Sequence, residues 1–164
     1  MRASTILTAL AGASSASAAV MRLATTSLRA LSYDWAVTGW SAGCARAGCY
    51  YDFNITGDAN TTAKPQRPGF KAYCSGQEGE GYRACTQLDS EGNDAEVVAK
   101  LFPHNITANG TSSLPHIQVS LRYTDLDSAS TWWNYTGDAY ARFNQFVAPP
   151  MNFSITPDEV FGVA

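Results

Sequence analysis

Charge is scarce in this sequence. Charged residues make up 15% of the 164 residues, against roughly 25% in an average domain. The 11 lysines and arginines are scattered and the net charge is −3, so we expect no basic patch that binds nucleic acid or an anionic membrane. No apolar run after the N-terminal segment reaches the length of about 18 residues that a transmembrane helix needs. We therefore expect neither a nucleic-acid partner nor a membrane partner.

Residues that commonly carry catalysis are also few. Only His104 and His116 could supply the imidazole of a nucleophilic triad, and the sequence has no Gly-x-Ser-x-Gly motif and no Gly-rich phosphate loop. Asp125 and Asp127 form a carboxylate pair that could bind a divalent cation or flank a glycosidic bond. We interpret this pair as a polar exit from a strand. The expectation is a protein that is not an enzyme and has no cofactor.

The chain contains four cysteines, Cys44, Cys49, Cys74 and Cys85. An even number in a secreted chain indicates disulfides, and four cysteines allow three connectivities. We favour Cys44–Cys49 and Cys74–Cys85, because each pair is close in sequence and encloses a loop that contains glycine. A zinc site with the two histidines is the alternative, but no Cys-x-x-Cys spacing occurs, and we expect no metal.

The N-terminus resembles a secretory signal. Arg2 precedes a short apolar stretch, and residues 16–18 have the small-x-small form of a cleavage site. We therefore predict a signal peptide over residues 1–18, a flexible lead-in over 19–32 and a single domain over 33–164. The arginines, the many hydroxyl residues and the lack of acids before residue 33 also fit a mitochondrial presequence, which is the alternative.

The acceptor sequence for N-glycosylation occurs six times, at Asn54, Asn60, Asn105, Asn109, Asn134 and Asn152. Chance placement of the chain's 30 Ser and Thr after its eight Asn predicts about 1.5 such sites. The excess indicates a secreted, extracellular glycoprotein whose sugars lie on surface loops. Turn chemistry, which also favours Asn and Thr, is an alternative origin for some of the sites.

Apolar and polar residues alternate along several stretches after residue 33. The clearest is 117–124, where every second residue is Ile, Val, Leu or Tyr, as in a half-buried strand. Turn signals such as Gly137-Asp138 separate these stretches, without a long amphipathic helix between them. We predict a single all-β domain, either an antiparallel β-barrel or a β-sandwich, with at most short helical turns. One such turn is predicted over 156–159, where Pro157 follows a possible N-cap.

An aromatic cluster beside the acceptor Asn134 gives the candidate binding residues, Trp132, Trp133 and Tyr135. Adjacent residues of a strand point to opposite faces, so one Trp is expected outside unless the strand is buried on both sides. An exposed Trp can stack on a sugar ring or anchor a protein partner. A core Trp beside a partly covered one is the alternative.

The segment from Trp35 to Cys85 resembles fungal small secreted proteins of the Alternaria major-allergen family, which include elicitors of the plant hypersensitive response. The matching features are two pairs of cysteines and the strand between them, namely Cys44, Cys49, Tyr51, Phe53, Ile55, Cys74 and Cys85. The resemblance implies a compact β-barrel with a non-enzymatic role in plant recognition. It also implies binding of plant defence proteins or small phenolic ligands. The six glycosylation acceptors depart from the family pattern.

These observations together predict a monomeric, secreted fungal effector or elicitor-type protein. Its expected partner is a host extracellular protein or a small phenolic or carbohydrate ligand. A cell-wall polysaccharide-binding protein that uses an exposed Trp is one alternative, which an exposed row of aromatic side chains would favour. A secreted hydrolase is the other, which two carboxyl groups about 5–10 Å apart in a cleft would favour.

Overall fold

The structure is a computed structural model that describes residues 20–22, 33–89, 94–104, 113–145 and 150–163. The predicted signal peptide and the acceptors Asn105 and Asn109 lie outside these residues. The described residues form eleven strands, which are β1 (Val20–Arg22), β2 (Trp35–Ala45), β3 (Gly48–Gly57), β4 (Phe70–Gln77), β5 (Arg83–Ala84), β6 (Thr86–Gln87), β7 (Glu96–Leu101), β8 (His116–Thr124), β9 (Trp132–Tyr140), β10 (Met151–Ile155) and β11 (Glu159–Val163).

The strands form two antiparallel sheets. The first sheet has the order β10-β2-β3-β4-β6, and the second has the order β1-β11-β9-β8-β7-β5. Both sheets contribute residues to one apolar core, and they do not close into a barrel. The prediction of an all-β fold is therefore confirmed, with the sandwich as its architecture. The closed barrel that the family resemblance implies is not formed.

Strand β8 shows why the second sheet folds as it does. Its inward residues Ile117, Val119, Leu121 and Tyr123 are at most 1% exposed, as their alternation predicts. The strand pairs with β7 on one side and β9 on the other, so its backbone hydrogen bonds are satisfied along most of its length. The period-two pattern therefore determines which side chains of β8 point outward.

A bulge in β2 changes which residues of the first sheet face the core. The pairing of β2 with β3 shifts between Thr38 and Ser41, and Gly39 within the bulge has a φ of 69°, a conformation that favours glycine. Before the bulge the inward residues of β2 have odd numbers, as the buried Trp35 does. After the bulge the inward side includes even-numbered residues, such as the buried Trp40. The extra residue thus allows both indoles into the core.

The C-terminal segment differs from the expectation. No described residue is helical, and the turn predicted over 156–159 leads instead into β11. Pairing of β11 with the edge of β9 and burial of Val160 outweigh the local helix-start signal.

Within the predicted lead-in, Val20–Arg22 forms β1 and pairs with β11. Consistent with these assignments, the described residues contain no helix that could span a membrane.

Two disulfides connect all four cysteines in the favoured pairing. Cys44 and Cys49 lie opposite each other near the end of the β2–β3 hairpin. Cys74 of β4 is bonded to Cys85, which lies between β5 of the second sheet and β6 of the first. The second bond therefore holds the two sheets together at the point where the chain crosses between them.

Alkaline pH is predicted to unfold the sandwich through its buried tyrosines. Burial raises the pKa of Tyr33 and of Tyr51 to about 12, and it also raises the pKa of Tyr123 and Tyr135. An unfolded Tyr has a pKa of about 10, so the raised pKa values mean that the folded state favours neutral tyrosine more than the unfolded state does. Their contribution to the free energy of unfolding is complete below about pH 10 and is lost as the pH rises towards about 12. Tyrosinate absorbance and circular dichroism, recorded in one titration, should show ionisation of these four residues together with unfolding. Ionisation of all eight tyrosines before any change in circular dichroism would contradict this prediction.

Candidate functional site

Three rings stack on the outer face of the second sheet. The rings of Phe102 and Tyr140 lie on either side of His116, each with its centroid 4.4 Å from the imidazole centroid, and with interplanar angles of 17° and 13°. The register of the sheet causes this arrangement, because His116 of β8 is opposite Tyr140 of β9 and the backbone N–H of Phe102 donates to the carbonyl of His116. We call Phe102, His116 and Tyr140 the aromatic stack.

Polar groups surround the aromatic stack. The Asp138 Oδ2 atom lies 2.7 Å from His116 Nε2, and Gln118 is opposite Asp138 in the sheet. The Tyr82 hydroxyl donates a hydrogen bond to Gln118 Oε1. Lys100 Nζ lies 4.4 Å from the centroid of Phe102, which places a cation over the ring at one end of the stack.

Tyr140 forms the open end of the stack. It is 65% exposed, the largest exposed fraction among the large hydrophobic residues of the described chain. Strand β11 pairs with β9 only from Trp132 to Thr136, so it does not extend alongside Tyr140. Apart from His116, no described aromatic ring stacks on Tyr140. The ring of Tyr140 is thus an accessible planar apolar surface near the Asp138 carboxylate and the Gln118 amide.

The aromatic residues proposed from the sequence lie elsewhere on β9. Trp133 and Tyr135 are 9% and 2% exposed and belong to the core, so they do not offer an accessible surface to a ligand. Trp132 faces outward, as the alternation requires, and is partly covered by Phe161, with a centroid distance of 5.6 Å. Of the three candidates, only Trp132 therefore retains an accessible ring.

Asp125 and Asp127 are both engaged in structural hydrogen bonds. Asp125 Oδ1 accepts from the backbone N–H of Asp127 at 2.7 Å, and Asp125 Oδ2 accepts from the indole N–H of Trp133 at 2.6 Å. Asp127 accepts from the Gln66 side chain at 3.0 Å. These contacts support the interpretation of this segment as a polar strand exit that also holds the Trp133 indole.

Replacing Asp125 should therefore destabilise the fold. Asp125→Ala leaves the Trp133 N–H without its acceptor and removes the turn bond, so we predict a loss of about 1–3 kcal/mol in the free energy of unfolding. Asp127→Ala is the matched control, with an expected change within about 0.5 kcal/mol because the residue is exposed. Urea denaturation of both variants measures the difference. Equal stability of Asp125→Ala and wild type would refute the structural role.

A second cluster surrounds the Cys44–Cys49 disulfide. His104 Nδ1 is 3.3 Å from Cys49 Sγ and 2.8 Å from Glu78 Oε2, and the three groups Cys44, Cys49 and His104 could together hold a metal ion by their spacing. Zinc binds thiolates, however, and both sulfur atoms here are joined in a disulfide. His116, the other histidine weighed as a zinc ligand, lies in the aromatic stack.

The described glycosylation acceptors lie at the surface. Asn54 and Asn134 point outward from β3 and β9, and Asn60 and Asn152 lie in a loop and on β10. Asn134 shares the outer face with the aromatic stack but is six residues from Tyr140 along β9, a separation of about 20 Å in an extended strand.

Comparison with known proteins does not identify this site. No protein-family model, curated protein or solved structure matches the chain.

The sequence analysis missed the aromatic stack, since it assigned Gly137-Asp138 to a turn, whereas both residues lie within β9. Gly137 is there because a Cβ atom would come within 2.9 Å of Ile155 Cγ2. The alternation over 117–124 did not include His116, which the structure places at the start of β8, and only the strand register shows which rings lie beside it.

Proposed function

We propose that the protein is an extracellular binding protein without catalytic activity, and that it binds a carbohydrate at the open end of the aromatic stack. The observation that carries this proposal is the exposed ring of Tyr140, with Asp138 and Gln118 in the neighbouring row of the sheet. The two disulfides are compatible with an extracellular location.

The chemistry of a sugar suits this arrangement. The apolar C–H face of a pyranose can lie on an aromatic ring, and its hydroxyl groups need hydrogen-bond partners at the edge of that ring. Tyr140 offers the ring, and Asp138 and Gln118 offer oxygen acceptors. The stacked imidazole and the contact of Asp138 with His116 hold Tyr140 in one orientation, which reduces the entropy lost on binding.

The exposed aromatic side chains therefore favour the polysaccharide-binding alternative among those the sequence left open, with Tyr140 in place of the buried Trp133. The residues that would support a hydrolase, Asp125 and Asp127, are accounted for by structural bonds. Cell-wall polysaccharides are the corresponding ligand class.

The proposed carbohydrate site predicts how glycan affinity changes on mutation. On an array of soluble cell-wall polysaccharides, Tyr140→Ala should lower the affinity about five- to tenfold, because a ring contact contributes about 1–1.5 kcal/mol. Tyr140→Phe should retain binding, since it keeps the ring. Tyr50→Ala is the matched control, an exposed tyrosine on the first sheet.

The outcomes of this experiment separate the candidate residues. Loss of binding in Trp132→Ala, with Tyr140→Ala unchanged, would move the site to the pair of Trp132 and Phe161. Absence of binding to every polysaccharide would contradict the proposed ligand class.

An effector-type role, in which a host extracellular protein is the partner, is a second proposal. It is supported by the family resemblance and by two exposed tyrosines on the outer face of the first sheet, Tyr50 and Tyr73, each 38% exposed. Tyrosine is enriched where proteins bind each other. These residues lie on adjacent strands, β3 and β4, within a shallow depression that Asp52 and Ser75 also line.

A pull-down from plant apoplastic fluid tests this second role. The wild-type protein and Tyr140→Ala should retain a specific plant protein, whereas the double variant Tyr50→Ala/Tyr73→Ala should not. Retention of the same protein by the double variant would place the contact elsewhere and refute this surface as the interface.

A further inference from the structure

Arg67 is a buried cation at the end of a loop. Its side chain is 2% exposed, although arginine is almost never fully buried without a partner. The backbones of Asn60 and Arg67 exchange two hydrogen bonds, at 2.9 and 3.0 Å, which close the loop between them. These bonds fix the position of the Arg67 backbone at the end of the loop.

Two of the three nitrogens of the Arg67 guanidinium lack a hydrogen-bond acceptor. Its Nε and Nη1 atoms are buried without a hydrogen-bond partner, and none of the ion pairs among the described residues includes Arg67. The Cζ atom of the group lies 4.3 Å from the centroid of the Tyr33 ring. This cation–π contact does not provide a hydrogen-bond acceptor for Nε and Nη1. Because arginine stays charged in proteins, such an unpaired buried charge is strongly unfavourable.

Further unpartnered groups lie in the same aromatic cluster. The Trp35 Nε1 and the Tyr123 hydroxyl are likewise buried without a partner. Ring contacts connect them to Arg67 through Tyr33, whose centroid is 5.8 Å from Trp35 and 5.7 Å from Tyr135, and Tyr135 is 5.9 Å from Tyr123. Within the described chain, these are all the buried side-chain N and O atoms that have no partner, and every one can donate. Of these atoms, the Arg67 nitrogens and Trp35 Nε1 can only donate, whereas the Tyr123 hydroxyl can also accept.

A pocket lies beside Arg67. It has a volume of about 260 Å³ and is lined by Tyr33, Asp34, Asp58, Ala59, Asn60 and Arg67. The acidic side chains in this lining are exposed, whereas Arg67 is buried. Two carboxylates near the opening disfavour a doubly charged anion more than a singly charged one.

We propose that Arg67 anchors a binding site for a small organic acid, whose single carboxylate enters this pocket and pairs with the guanidinium. A carboxylate matches the planar fork of arginine and supplies acceptor oxygens for the guanidinium. This site is separate from the aromatic stack and does not depend on the proposed carbohydrate function.

Calorimetry and thermal unfolding of the full chain, with sodium acetate and sodium benzoate as probes, test this proposal. Both carboxylates should bind and raise the melting temperature in a concentration-dependent manner. Sodium chloride at the same ionic strength should have no such effect, and phosphate should bind more weakly than acetate. Phosphate binding that is tighter than acetate binding would overturn the assignment to a carboxylate.

Two variants make the test specific. Arg67→Met should lower the affinity for acetate and benzoate at least tenfold, while its melting temperature without ligand equals or exceeds that of the wild type, because an unpaired buried charge has been removed. Arg122→Met is the matched control, an arginine whose side chain is 59% exposed, and it should bind like the wild type. An undiminished carboxylate response in Arg67→Met would refute the site. Absence of binding by every anion would show that water satisfies the guanidinium, and would refute it equally.

Discussion

The shared apolar interior of the two sheets is the constraint on which the other features depend. Along β8, the burial of Ile117, Val119 and Leu121 determines which residues point away from the core, because side chains alternate along a strand. His116 and Gln118 then face outward, and pairing with β9 places Tyr140 and Asp138 beside them. The candidate carbohydrate surface is thus a consequence of how the core is packed.

The same interior explains the contrast between the protein's polar groups. Trp133 and Trp40 bury their indoles with hydrogen bonds to Asp125 and to the Arg142 carbonyl, so their polar atoms are satisfied. Arg67 lies in an equally buried position without such a partner. Among the buried atoms without a partner, those of Arg67 are the ones that carry a formal charge.

Local sequence patterns succeeded where one strand by itself decides the outcome. The alternation over 117–124 predicted β8, and the spacing of the cysteines favoured the pairs that the structure contains. Patterns failed where a distant strand intervenes. The helix-start signal over 156–159 is overridden by the pairing of β11 with β9, and Gly137 serves the close approach of Ile155 rather than a turn.

The sequence by itself determined the fold class and the inward face of the clearest strand, since these follow from period-two alternation. It favoured one of three pairings of the cysteines, because the loops within those pairs are short. Only the tertiary structure decided the sandwich over the barrel, the entry of Trp40 into the core and the assembly of Phe102, His116 and Tyr140. It also brought the Arg67 guanidinium into contact with the Tyr33 ring. These contacts join residues far apart in the chain, and their geometry depends on strand register and bulges, which no local pattern encodes.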